Sequence, residues 1–181
     1  MSIQMTKIWW QKCLSDKEKL EHWLVSLHNN EKDAEDRFKD FAIAYCKVDS
    51  EEFKTFMLIA SQEENHAKMV KEILDKRGIT LYELSSKNGR YWRNTLPCIC
   101  DMKTAAAIGA YAEGLSLSRM RVIIKDKNTP DDLKKLFELI EPEESFHAKA
   151  LEQIATKYGM KAVKDCHDKR LIELGLKMKE K

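Results

Sequence analysis

Glycine and proline are scarce, six and three residues in a chain of 181. That excludes a collagen-like or low-complexity chain and leaves few signals for a fold built on tight turns. No apolar run approaches the roughly 20 residues that a membrane-spanning helix needs. The first fourteen residues carry Trp9 and Trp10 but lack the basic-then-apolar order of a signal peptide, so none is expected. Charge of one sign is lacking too. The 32 basic and 30 acidic residues are interspersed and leave a net charge of +2, which points to neither nucleic acid nor an anionic membrane. Cysteines are few and odd in number: Cys13, Cys46, Cys98, Cys100 and Cys166. They show no disulfide-framework spacing, no Cys-x-x-Cys and no rubredoxin-like four-cysteine segment. Reduced thiols and a cytoplasmic location are the expectation.

What is present is helical patterning. Apolar residues make up 43% of the chain and charged residues 34%, the mixture of an ordered, mainly helical domain, and the length fits one domain with a sizeable core. Residues 3–13 suit a short helix or arm. Ser15-x-x-Glu18 reads as a capping box opening a helix over about 16–47. Its Leu20, Trp23, Leu24, Leu27, Ala34, Phe38, Phe41, Ala42 and Tyr45 recur at steps of three and four. Asp49-Ser50 caps a second helix over about 51–77, stopped by Gly78.

Residues 78–101 break the pattern. Thr80-x-x-Glu83 can cap one short helix, but Ser85, Ser86, Asn88, Gly89 and Pro97 read as an extended crossover, whose Tyr82, Tyr91 and Trp92 are candidates to line a substrate pocket. A third helix is predicted over about 102–126. Thr129-Pro130-Asp131-Asp132 reads as a cap with Pro at the first helical position, opening a fourth helix that ends before Gly159. A C-terminal helix over about 161–179 follows. The order is short loop, long crossover, short loop. The prediction is therefore one all-α domain over 1–181, with a four-helix bundle at about 16–158. One long crossover between helices two and three is the ferritin-like topology.

One motif occurs twice. Glu63-x-x-His66-Ala67-Lys68 returns as Glu144-x-x-His147-Ala148-Lys149, 81 residues later. Residues three apart share a helix face, so each Glu and His converge on one point, an arrangement suited to iron, manganese or zinc. About one chance Glu or Asp three positions before a histidine is expected among five histidines in a chain with 30 acids. The duplicated context makes this pair different from His22, His28 and His167, which read as ordinary surface histidines. A two-metal site needs one more acid from each remaining helix. In the first helix Glu31 falls on the core-facing stripe with Ala34 and Phe38; Glu35, one turn on, borders the same stripe and is the weaker alternative. In the third helix Glu113 interrupts the small-residue run Ala105 to Ala112, where an acid is costly to bury unless paired, protonated or metal-bound. Glu31 precedes Glu63 by 32 residues and Glu113 precedes Glu144 by 31, as if one helical hairpin were used twice. Glu64 and Glu143, the neighbouring acids, read as solvated. Pro142 lies inside the fourth helix, where it either kinks the ligand-bearing segment or is tolerated. Arg119, Arg121, Lys125 and Lys127 read as complementing the end of the helix dipole.

Over residues 20–155 the chain resembles the rubrerythrin-like branch of the ferritin-like di-iron proteins. Glu31-x-x-Ala34-x-x-x-Phe38-x-x-Phe41-Ala42 is similar to the family's first-helix pattern. Gln62-Glu63-x-x-His66-Ala67-Lys68 and Phe137-x-x-Ile140-x-x-x-Glu144-x-Phe146-His147 are similar to its second- and fourth-helix patterns. The resemblance implies two iron ions, or a manganese–iron pair. Glu31 and Glu113 would be terminal ligands, Glu63 and Glu144 bridging ligands, and His66 and His147 one ligand to each metal. It implies a di-iron oxidoreductase acting with dioxygen or hydrogen peroxide on a small-molecule substrate, with an external electron donor and possible homodimerisation. Peroxide-reducing members often carry a second acid one turn earlier in the third helix, where this chain has Ala110, and a rubredoxin domain that is absent here. Those departures favour oxidase or oxygenase chemistry. A ferritin-type iron-storage protein and a tRNA-modifying hydroxylase are the alternatives. Burial of a near-neutral site among Phe38, Ile108 and Phe146 is expected.

Overall fold

The computed structural model describes residues 3–82 and 90–177. All regular structure among them is helical: α1 (Ile3–Leu14), α2 (Lys17–Tyr45), α3 (Glu51–Lys76), α4 (Arg90–Thr95), α5 (Met102–Lys125) and α6 (Asp131–Glu173), with a 3₁₀ turn at Leu96–Cys98. Among the described residues no helix is long and apolar enough to cross a membrane. The predicted first three bundle helices appear within a few residues of their expected bounds. Glu83 of the Thr80-x-x-Glu83 cap and the 83–89 part of the crossover lie outside the described residues, and the C-terminal helix, expected to reach about 179, ends at Glu173.

Local chemistry sets the boundaries, not always through the expected residue. Asp16, not Ser15, caps α2 by accepting from the Lys19 amide at 3.2 Å. Ser50 caps α3 through the Phe53 amide. The chain leaves α3 through a Schellman turn, with Gly78 at φ +67°, its amide bonded to the Asp75 carbonyl and the Ile79 amide to the Leu74 carbonyl. Asp101 and Thr104 form a reciprocal capping box on α5. Thr129 does not cap α6: its hydroxyl donates to the Ile123 carbonyl and accepts from the Trp10 indole, tying α1 to the α5–α6 turn. Pro130 sits one residue earlier than expected, in extended backbone before the first turn.

α2 packs along α3 and α5 along α6, each pair joined by a short loop and therefore antiparallel. α1 lies across α2 and α5. The core has two apolar layers. One is built on Phe38, Phe56, Ile59, Ala105–Ala107, Ile108 and Leu151. The other is built on Trp10, Leu24, Val70, Leu74, Leu133 and Phe137. Each of the four long helices crosses both layers. α5 comes close to its neighbours because its face is made of small residues: a Cβ on Gly109 would stand 3.0 Å from Leu151 and 3.3 Å from Phe38.

Two expectations about the last third of the chain need correction. The expected break between the fourth and C-terminal helices is present, as a kink inside α6. The chain turns at Thr156 (φ 57°, ψ 174°) and not around Gly159. Gly159 is helical, and its missing side chain serves packing: a Cβ there would lie 2.5 Å from the Lys103 carbonyl oxygen at the start of α5. Pro142 is passed without a break, since Thr156 is the only non-helical residue inside α6. The cysteines are not all free either. Cys98, just before α5, is bonded to Cys166 on α6, while Cys13, Cys46 and Cys100 are free. A lasting disulfide belongs to oxidising surroundings, so the expectation of reduced thiols does not hold for this pair.

Two stability outcomes follow. Gly159→Ala should lower stability by about 1–3 kcal/mol, because the new methyl meets backbone that cannot swing aside. Gly114→Ala, where a Cβ meets nothing within 4 Å, should raise it by up to about 1 kcal/mol through helix propensity. Thermal unfolding of both variants measures the contrast. The disulfide closes a sequence separation of 68 residues, so its reduction should cost about 2–4 kcal/mol, seen as a lower Tm in reductant that Cys98→Ser/Cys166→Ser reproduces without reductant.

Candidate metal centre

The six predicted residues meet between the two apolar layers. Glu31 stands on α2 between Leu24 and Phe38, and Glu63 on α3 between Ile59 and Val70. Glu113 stands on α5 between Ala110 and Met120, and Glu144 on α6 between Ile140 and Leu151. His66 and His147 follow their glutamates by one turn and are fully buried. One oxygen or nitrogen from each of Glu31, Glu63, His66 and Glu144 lies within 4.8 Å of the others, and the same holds for Glu63, Glu113, Glu144 and His147. The two groups share Glu63 and Glu144, and each can hold a metal ion. Glu35 lies outside both, paired at 2.5 Å with Lys32 and with Lys39.

The donor atoms point inward and lack partners. Glu63 Oε1, His66 Nδ1, Glu144 Oε2 and His147 Nδ1 are buried without a hydrogen bond. The nearest approaches are 3.1 Å from His147 Nδ1 to Glu63 and 3.3 Å from His66 Nδ1 to Glu144, but neither is directed as a hydrogen bond. Unsatisfied buried polar atoms are costly, and four converging on one place are the signature of a site that a cation completes. The far ring nitrogens are held from outside. His66 Nε2 contacts the Glu143 carboxylate at 2.8 Å, and His147 Nε2 contacts Gln62 Oε1 at 2.9 Å. An outer partner on the remote nitrogen is the usual support of a metal-binding imidazole. Glu143 is therefore not merely a solvated acid. Gln62 and Glu143 each stand immediately before a motif glutamate and reach across to the other helix's histidine, a reciprocity that the sequence repeat contains.

Electrostatics reflect the crowding. Burial lifts the Glu31 carboxyl well above the carboxylate range, and the neighbouring Glu63 charge pushes the same way; burial and Glu144 do this to Glu113. Burial would raise Glu63 also, but contacts with His147 and His66 outweigh it and hold that carboxylate below the usual range. Burial opposes charge on His66, yet Glu144 and Glu63 keep its proton, with a pKa raised to about 10.

Several neighbours differ from the sequence reading. Phe146 does not cover the site and is 41% exposed. His167 is no surface histidine: it is buried, stacked on Tyr111 with ring centroids 4.0 Å apart and bonded to the Tyr91 hydroxyl at 2.8 Å. Burial lowers its pKa to about 4, so it stays neutral. Arg37, on which sequence reasoning was silent, is buried near Glu113 with its guanidinium 3.9 Å from the Trp92 ring centroid. It falls on a helical stripe with Ala34 and Phe41, a register that could have marked it. A cavity of about 330 Å³ adjoins Glu31, Glu63 and Glu113. Tyr91 and Trp92 of the crossover line it as expected; Tyr82 instead contacts His22 at 2.7 Å. Arg119 also lines the cavity and so is more than a complement to the helix dipole.

No protein-family model matches this chain, and neither a curated protein nor a solved structure shows significant similarity to it.

The proton inventory sets a pH dependence. The raised carboxyls of Glu31 and Glu113 hold protons above pH 4.5, where the unfolded chain has released them. The stability contributed by His66 is full below pH 6.5 and is lost as pH rises through about 10. The folded metal-free protein thus binds more protons than the unfolded chain over this range, and its stability should fall with rising pH. Depressed Glu63 acts oppositely below pH 4.5, and neutral His167 does so between about pH 4 and 6.5, so the fall is steepest above pH 6.5. Metal binding must expel these protons. Thermal melts from pH 5 to 9 should show a falling Tm without metal and a flatter profile with it. Addition of Fe(II) in weak buffer at pH 7 should release protons, that of His66 among them.

Proposed function

We propose that this chain is a ferritin-like di-iron oxidoreductase of the rubrerythrin-like kind, which uses dioxygen or peroxide to oxidise a small molecule. The observation that carries the reading is the pair of donor sets sharing Glu63 and Glu144, with unpartnered Nδ1 atoms facing in and outer partners on both Nε2 atoms. Oxygen and nitrogen donors with four carboxylates suit iron or manganese. The helix order, with a long connection between α3 and α5, agrees with the ferritin-like topology.

Glu31, Glu63 and His66 would hold one ion with Glu144, and Glu113, Glu144 and His147 the other with Glu63. Bound iron would supply the electrons for reducing dioxygen or peroxide. The protein supplies the rest. Glu143 and Gln62 fix the imidazole orientations, and the two apolar layers exclude bulk water. Glu31 and Glu113 give up protons when metal enters and stand beside the cavity, placed to take protons back during turnover. Arg37 offsets the charge of Glu113 without entering the donor set. Ala110 occupies the position where peroxide-reducing relatives of this kind carry a further acid, so oxidase or oxygenase chemistry is favoured.

Anaerobic loading with Fe(II), desalting and elemental analysis should find about two irons per chain, lost in His66→Ala/His147→Ala. In stopped-flow absorbance the diferrous protein should oxidise at least tenfold faster with dioxygen than Glu63→Ala/Glu144→Ala does. Wild-type protein that retains no iron would refute the reading.

A further inference from the structure

The cavity beside the metal centre has one feature that the proposed chemistry leaves unused. Arg121 of α5 points outward and pairs with Glu141 at 2.8 Å. Arg119, two residues earlier, is half-buried in the cavity wall and has no ion pair among the described residues. Burial disfavours its charge, and among the described residues no acid is close enough to offset that. A guanidinium withdrawn from water without a partner is costly. It also presents a planar, bidentate donor to whatever enters.

The cavity offers that guest an apolar body site and a reactive end. Trp9, Trp23, Met120 and Phe137 share its lining with Arg119, and Glu31 and Glu113 line it too. On α5, Glu113 and Arg119 are six residues apart, about 9 Å of axial rise and about 120° around the helix, and both line the cavity. The volume of about 330 Å³ is in the range of small-molecule sites. Arg37 does not compete as an anchor, because Glu113, Glu63 and Glu31 already act on it and Trp92 covers it. One uncompensated cation matches one negative charge, which suits a carboxylate better than a phosphate dianion.

We propose that the substrate of the centre is a small amphipathic monocarboxylate, held with its carboxylate on Arg119, its apolar body against Trp9, Trp23 and Phe137, and its far end at Glu31 and Glu113. This rests on the di-iron reading for the word substrate; the binding site itself rests on the cavity and Arg119.

Tryptophan-fluorescence titration with octanoate, octan-1-ol and octylammonium tests it, on anaerobic Fe(II)-loaded protein and on metal-free protein. Octanoate should bind the loaded protein at least tenfold more tightly than octanol, with octylammonium weakest. Arg119→Met should abolish that preference while leaving octanol affinity and iron content unchanged, and Arg119→Lys should keep most of it. Equal binding of acid and alcohol by wild type, which needs no variant to fold, overturns the proposal. So does an octanoate preference that survives in Arg119→Met, which would mean that the iron takes the carboxylate directly. Iron retained with no octanoate preference rejects the substrate class and leaves the di-iron reading standing. A preference for octanoate in metal-free protein that also fails to hold iron supports the carboxylate site and rejects the di-iron reading.

Discussion

Four carboxylates and two imidazoles buried between two apolar layers are the constraint on which the rest of this structure depends. Like charges so close in a low-dielectric interior repel strongly, and each buried ion loses its hydration. Without metal the protein reduces the charge by keeping protons on Glu31 and Glu113 and by setting His66 as a cation among Glu63 and Glu144. It leaves four inward atoms unpartnered all the same. Such a centre persists only where the helices around it are held by other contacts, and both apolar layers supply those contacts on either side.

The support is arranged with approximate twofold reciprocity. α2 and α3 form one hairpin and α5 and α6 the other, each contributing a lone glutamate and a Glu-x-x-His segment. Gln62 and Glu143 hold each other's partner histidine across the interface. The symmetry is broken at that point, since one imidazole faces an amide and the other a carboxylate. It is broken again around the centre, where the cavity lies on the side of Glu31 and Glu113 and carries Arg37 and Arg119. The helical scaffold is thus nearly symmetric about the donors, while this cavity adjoins Glu31, Glu63 and Glu113.

Elements outside the four long helices stiffen that open side. α1 places Trp10 in the core and bonds it to Thr129, and its Trp9 reaches the cavity wall. The chain entering α5 carries Cys98, bonded to Cys166, and Tyr91, bonded to His167. The crossover is therefore tied to the far half of α6 at two places. Close approach of Gly159 to Lys103 fixes the same part of α6 to the start of α5.

The sequence by itself determined the helix count of the bundle, its loop lengths and the six converging side chains, because helical periodicity and a duplicated Glu-x-x-His are local patterns that burial merely obeys. Glu113 was legible because an acid within a run of alanines has no other economical explanation. What the sequence did not reveal depends on residues distant in the chain. Gly159 looked like a helix stop because glycine commonly ends helices, but only the position of Lys103 shows that it is a point of contact. His167 looked like a surface residue because no local signal records Tyr91 and Tyr111 closing over it. The pairing of Cys98 with Cys166 and the place of Arg119 in the cavity wall are likewise facts about which helix faces meet. Local spacing dictates where a side chain points on its own helix, and only the packed bundle decides what it meets there.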